Sequence, residues 1–256
     1  MAIEFHQFLC LQDNFGLLAH DPATGATAAL DAPDAEPILA ALAAKGWGLT
    51  DIWLTHHHDD HIQGVAELKA HFANVRVIGA RNDAARLPPL DLSVVEGDII
   101  QLGAHDVRVL ETPGHTLGHL AYYFVRQKVA VVGDTLFGLG CGRVFEGTMP
   151  MMYESLMKLA SLPDETRVYC GHEYTQANAA FALAVDPDNA ILVQRVKEID
   201  SLRASGKFTL PTSIAIERAT NPFLRADNSE LQSRLGFERA NPVDVFAELR
   251  ERKNHF

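Results

Sequence analysis

Short apolar runs bounded by turn residues fill the first two-thirds of the chain. Such runs read as strands when they are brief and rich in Val, Ile and aromatic residues. The candidates are residues 3–9, 15–20, 27–30, 51–55, 75–78, 94–102, 107–111, 120–125, 129–132 and 167–170. Between them the apolar period changes to that of a helix. Asp34 is placed to cap a helix running to about Lys45, with Gly46 as its stop signal. Ile62, Val65, Ala66, Leu68 and Phe72 share one helical face, and residues 151–159 read likewise, with Pro163 beyond them. After about residue 172 the strand signal fades. Residues 174–184 and 190–205 read as helices separated by Asp186-Pro187-Asp188, and Asn241-Pro242 precedes a last helix over 243–253. The pattern therefore predicts a mixed α/β domain over residues 1–171 and a smaller helical domain over 172–256. Both halves of the α/β part place a histidine-bearing loop after a strand, a hint of duplication.

Composition narrows the function without naming it. The 256 residues are 47% hydrophobic and 21% charged, ordinary for a globular protein. No stretch approaches the ~20 apolar residues of a membrane span. Residues 1–6 lack the basic start and apolar run of a signal peptide. Cys10, Cys141 and Cys170 are odd in number and form no C-x-x-C, so they read as reduced thiols of a cytoplasmic protein. A net charge of −11 argues against nucleic acid or an anionic membrane as partner. It also means that an anionic substrate would need local basic residues.

Chemistry is concentrated in Thr55-His56-His57-His58-Asp59-Asp60-His61, directly after a strand candidate. Imidazole and carboxylate together suit borderline divalent ions: zinc, or alternatively iron or manganese. His56 and His58 are two apart and project to one side of extended backbone, while His57 points away. Asp60 and His61 follow where the chain turns and can face a second point. Three further candidates lie at strand ends: His115 in Thr112-Pro113-Gly114-His115, Asp134 after Val129–Gly133, and His172 after Cys170-Gly171. Ligands on the rim of a rigid sheet make a preorganised metal site. The set suffices for two ions: His56, His58 and His115 on one, Asp60, His61 and His172 on the other, with Asp134 as the bridging carboxylate. Two ions ~3.5–4 Å apart can lower the pKa of a shared water toward ~7, giving a bridged hydroxide aimed at an electrophilic carbonyl. His57 and Asp59 read as supporting residues, His119 as structural, and His6, His20, His71, His105 and His255 carry no functional reading.

These motifs, in order, resemble the metallo-β-lactamase superfamily. Within it, Val132–Phe137, Gly140-Cys141-Gly142-Arg143, Glu146-Gly147-Thr148, Tyr169–Thr175 and Thr220-Asn221-Pro222-Phe223 resemble the glyoxalase II, or hydroxyacylglutathione hydrolase, family over essentially the whole chain. The resemblance implies an α+β fold, an αββα sandwich followed by a smaller helical domain. It implies an enzyme that hydrolyses the thioester S-D-lactoylglutathione to glutathione and D-lactate, the second step of methylglyoxal detoxification; a monomer in the cytoplasm is expected. It further implies that Arg143, Arg250 and Lys253 hold the glycine carboxylate of glutathione and that Tyr174 contacts its backbone. Many members have lysine where Arg143 stands and tyrosine where Phe145 stands. The missing hydroxyl at Phe145 removes a substrate hydrogen bond of about 0.5–1.5 kcal/mol. The bland alternatives are a surface arginine at 143 and simple helix-end charge at Arg250 and Lys253. Competing functions are a β-lactamase, which would usually carry an export signal, a nuclease, which would be basic, a single-iron persulfide dioxygenase, and a silent metal-binding scaffold. The complete ligand set and the helical tail favour the hydrolase.

Overall fold

The computed structural model describes residues 2–256. The chain forms two compact units: residues up to Glu111 together with Leu117–Gly133, and Thr112–Thr116 together with Asp134–Phe256.

In the first unit a six-stranded sheet follows chain order: β1 (Glu4–Leu9), β2 (Phe15–His20), β3 (Thr27–Leu30), β4 (Asp51–Trp53), β5 (Arg76–Ala80) and β6 (Leu92–Val94). The first three strands pair antiparallel, and β3 to β6 pair parallel. Parallel neighbours need a crossover. α1 (Ala35–Lys45) supplies one, and α2 (Asp59–Ile62) with α3 (Val65–His71) supplies the next. The cap and stop of α1 are those the sequence predicts: Asp34 accepts from Glu36 N at 3.2 Å, and Gly46 sits left-handed at φ 68°. Ile38, Leu42, Val65 and Leu68 of these helices bury against Leu18, Ile52 and Val77 of the sheet.

The antiparallel run β7 (Ile99–Leu102), β8 (His105–Glu111), β9 (Leu120–Phe124) and β10 (Val129–Val131) covers the other face of that sheet. Trp53 stacks on Phe124 at 5.7 Å, Phe5 meets Phe124 edge-on at 5.1 Å, and the Tyr122 hydroxyl donates to Leu54 O at 2.7 Å. Two sheets thus face one another across an aromatic seam. The single strand expected over residues 94–102 is in fact two. Asp98 Oδ2 accepts from Val95 N at 2.9 Å, closing a turn between β6 in one sheet and β7 in the other. The helix expected over 62–72 is likewise interrupted, where Gly64 N donates to Ala32 O at 2.9 Å.

The second unit contains the hairpin of β11 (Leu136–Phe137) and β12 (Gly140–Cys141), then α4 (Met149–Ala160) and β13 (Arg167–Tyr169). α5 (Thr175–Val185) and α6 (Ala190–Ala204) follow, then β14 (Thr212–Ser213), which pairs with β13. α7 (Ile214–Thr220), α8 (Ser229–Leu235) and α9 (Pro242–Asn254) complete it. α5, α6 and α9 lie where the periodicity places them. The hairpin, α7 and α8 are too short to leave a periodic trace and went unpredicted. Their core is aliphatic around Leu139, Ala179, Ala182, Leu192 and Ile199, and aromatic where Phe223 packs between Phe181 at 5.8 Å and Phe246 at 5.9 Å. Among the described residues no helix is long and apolar enough to cross a membrane.

Candidate active site

In the first unit four of the expected ligands converge where β4 gives way to α2. His58 is the extended N-cap residue of α2, with φ −62° and ψ 143°. Extended backbone before it and helix after it turn the two ligand pairs toward each other. His56 Nε2 lies 3.1 Å from His58 Nδ1. Two imidazoles on one tetrahedral ion, each at about 2.0–2.1 Å, have nitrogens roughly 3.3 Å apart, so this pair fits a shared cation. Thr55 Oγ1 sits 3.0 Å from His56 Nδ1, directing the opposite ring nitrogen toward His58. His61 Nε2 lies 3.7 Å from Asp60 Oδ2, and Asp60 is steadied by Asn14 Nδ2 at 3.0 Å.

Asp31 organises this group, and sequence reasoning missed it. The carboxylate accepts from Thr55 N at 2.6 Å and Thr55 Oγ1 at 2.8 Å, and its Oδ2 lies 2.8 Å from His61 Nδ1. A hydrogen-bond acceptor there fixes the proton on Nδ1, leaving Nε2 as the basic nitrogen. Asp31 adopts φ 61°, a left-handed conformation that aspartate tolerates better than most residues. Its signal was present: Asp31 ends the buried run of β3 much as Asp134 follows that of β10. His57 is turned to Asp83, with Nδ1 2.8 Å from Oδ2, while Arg86 Nε donates to the other oxygen at 2.6 Å. Asp59 is exposed. His119 is fully buried and stacks on His56, with centroids 4.9 Å apart.

In the second unit His115 and His172 meet on Asp134. Their Nε2 atoms lie 3.5 and 3.4 Å from the one carboxylate oxygen, Asp134 Oδ2. His115 Nδ1 donates to the backbone carbonyl of Arg143 at 2.8 Å, which again leaves Nε2 basic. The Pro113-Gly114 turn is tight: Gly114 has φ 150°, and a Cβ there would lie 2.7 Å from Met152 Cβ. At Gly142 a Cβ would overlap the carbonyl oxygen of Asp134. Imidazole nitrogens around a carboxylate, all largely buried, are the donor set of a divalent metal.

The expected substrate contacts all belong to this second unit. Tyr174 stacks on His172 with centroids 4.7 Å apart and ring planes 6° from parallel. Phe145 is exposed and lies against His115 at 5.2 Å. The Arg143 side chain is exposed. Arg250 is 4% exposed, donates from Nη1 to Cys141 O at 2.8 Å, and lies over the Phe223 ring at 5.2 Å. Lys253 Nζ donates to Ala177 O at 3.2 Å. Partial burial, then the neighbouring charges of Arg250 and Arg143, lower the Lys253 pKa. Three cations thus share one neighbourhood of an acidic protein. Burial raises the thiol pKa of Cys141 and of Cys170, which keeps both neutral.

Residues 21–172 match the metallo-beta-lactamase superfamily, and residues 173–256 match the hydroxyacylglutathione hydrolase C-terminus. The chain is 57% identical to a hydroxyacylglutathione hydrolase of Rhodopseudomonas palustris strain BisA53 over 99% of both chains. The chain belongs to the hydroxyacylglutathione hydrolase family. A second member, from Nitrobacter winogradskyi, is 54% identical over 99% of both chains. The fold is that of the metallo-β-lactamases. A BLEG-1 B3 metallo-beta-lactamase structure superposes with a TM-score of 0.66 at 22% identity, covering 86% of this chain and 99% of its own.

Proposed function

We propose that this family member hydrolyses S-D-lactoylglutathione to D-lactate and glutathione. The observation that carries the reading is the match over 99% of both chains to hydroxyacylglutathione hydrolases, with the C-terminal 173–256 match included. His56, His58 and His115 would hold one divalent ion and Asp60, His61 and His172 a second, with Asp134 shared between them. When bound, such ions lower the pKa of water toward neutrality and polarise a carbonyl. Zinc suits the donors, as do iron and manganese.

The chain's own residues supply orientation. Asp31 and the Arg143 carbonyl fix the tautomers of His61 and His115. Arg143, Lys253 and Arg250 would meet the glycine carboxylate of the substrate, and Tyr174 and Phe145 would flank its backbone. In the reaction water adds to the thioester carbonyl, a C–O bond forms and the C–S bond breaks. The glutathione sulfur departs as a thiolate of moderate basicity, so little general acid catalysis is needed. In this reading residues 1–171 bear most of the metal chemistry and residues 172–256 most of the substrate recognition. The enzyme would be monomeric and cytoplasmic, in keeping with three buried free cysteines.

Parallel assays of lactoylglutathione, a coenzyme A thioester and a β-lactam, with metal analysis of the same sample, test the reading. Turnover of the first far above the others, with close to two ions per chain, is expected. A preference for either other substrate would overturn it.

A further inference from the structure

The β11–β12 hairpin is held by side chains from the helical region at five successive residues. Asn221 Nδ2 donates to Phe137 O at 3.3 Å and to Gly140 O at 3.0 Å. Asn178 Nδ2 donates to Gly138 O at 3.1 Å. Leu139, left-handed at φ 57°, donates its N–H to Glu217 Oε2 at 2.8 Å. Arg250 takes the carbonyl of Cys141. Glu217 is 1% exposed and Asn221 is fully buried. The Glu217 carboxylate also accepts from Asn221 Nδ2 at 3.0 Å and from Thr212 Oγ1 at 2.7 Å. A buried carboxylate is costly unless hydrogen bonds satisfy it, and here each of its oxygens has a donor.

What the hairpin connects gives this network its consequence. Asp134 lies two residues before β11, and Arg143 two residues after β12. Gly142 N donates back to Thr135 O at 3.2 Å, and the Arg143 carbonyl holds His115. A shift of the hairpin would therefore displace Arg143 while the chemical identity of every expected substrate contact stays the same.

We propose that Glu217 and Asn221 are positioning residues that lock the hairpin and so fix where Arg143 meets the carboxylate of the substrate. This rests on Arg143 being a substrate contact. Glutamine can replace Glu217: its amide oxygen accepts from Leu139 and Asn221, and its NH2 donates to Thr212 Oγ1. Alanine cannot, and leaves the Leu139 N–H buried and unbonded.

The test is a double-mutant cycle on the metal-loaded enzyme. KM and kcat for lactoylglutathione are measured together with calorimetric affinity for an S-alkylglutathione that cannot be hydrolysed. Glu217→Ala is expected to raise KM and weaken the analogue by about fivefold to tenfold, with a smaller fall in kcat because the Arg143 carbonyl also holds His115. Glu217→Gln should restore both, and Glu217→Ala should add nothing in an Arg143→Ala background. If Glu217→Ala does not fold, Asn178→Ala, which removes one hairpin bond, carries the same cycle with an expected effect of about twofold. Equal KM in folded Glu217→Ala and the parent would overturn the proposal, as would an undiminished effect in the Arg143→Ala background. If Arg143→Ala alone leaves KM unchanged, the substrate-contact reading itself fails and the proposal falls with it.

Discussion

The two groups of candidate ligands are built in opposite ways. His56, His58, Asp60 and His61 come from six consecutive residues, and a strand-to-helix switch at His58 sets their geometry. His115, Asp134 and His172 come from three separate junctions, and the segments beside them are tied from outside: His115 by the Arg143 carbonyl, and the hairpin after Asp134 by Asn178, Glu217, Asn221 and Arg250. The contiguous group leans on one buried acid, Asp31. The dispersed group leans on a network. Local geometry is cheap to specify in sequence, whereas a dispersed site depends on residues that carry no mark of their role.

The most damaging way to probe the contrast is Asp134→Ala. It removes the one oxygen on which both histidines of the dispersed group converge. Most of the bound metal should be lost and kcat should fall by at least about a thousandfold, the effect of losing several kcal/mol of charge stabilisation. Metal content by elemental analysis decides the point. Normal content with full activity would remove Asp134 from the centre.

Asp31→Asn probes the contiguous group more finely. Asparagine keeps the size and can still accept from Thr55 N. Its NH2 would face His61 Nδ1, however, and favour the proton on Nε2 instead. A chelator competition should show a loss of about 10–100-fold in metal affinity, typical of removing a partner that orients a ligand. Thermal stability should change less than in Asp31→Ala, which also leaves the Thr55 amide unbonded at about 1–3 kcal/mol. If both variants bind metal as the parent does, Asp31 acts only on the fold.

The same contrast explains what the sequence made legible. Spacing alone separates His56 and His58 from His57, because alternate residues of extended chain face opposite ways. Asp34 and Gly46 announce α1 by capping chemistry, and the structure follows them. Asp31 was readable in principle, as an acid ending a buried strand, but a lone strand-end carboxylate carries no spacing. Glu217, Asn221 and Asn178 were not readable as a network. Their hydrogen bonds run to backbone atoms 40–84 residues away, and backbone atoms leave no trace in side-chain identity. The split of residues 94–102 between two sheets was hidden for a similar reason. Apolar periodicity reports burial, not which sheet does the burying.

Arg250 and Lys253 refine the contrast at smaller amplitude, since one helical face of α9 holds two cations with different duties. Arg250 is buried against Cys141 and Phe223, so Arg250→Ala should disturb the fold and substrate binding together. Lys253 is the better probe of binding. Partial burial, with Arg250 and Arg143 nearby, lowers its pKa, so it loses its charge at a lower pH than an ordinary lysine. KM should rise as pH rises through that lowered value, while the arginines stay charged and the substrate stays anionic. Stability moves the other way. A lysine whose folded pKa is depressed costs stability while charged, and the cost is relieved as pH rises past the folded pKa. An alkaline increase in KM without a matching fall in Tm is therefore the signature of Lys253. Lys253→Arg should flatten the KM profile by holding the charge, and Lys253→Ala should flatten it at a KM several-fold higher throughout. A KM that rises equally in all three proteins would trace the effect to another group.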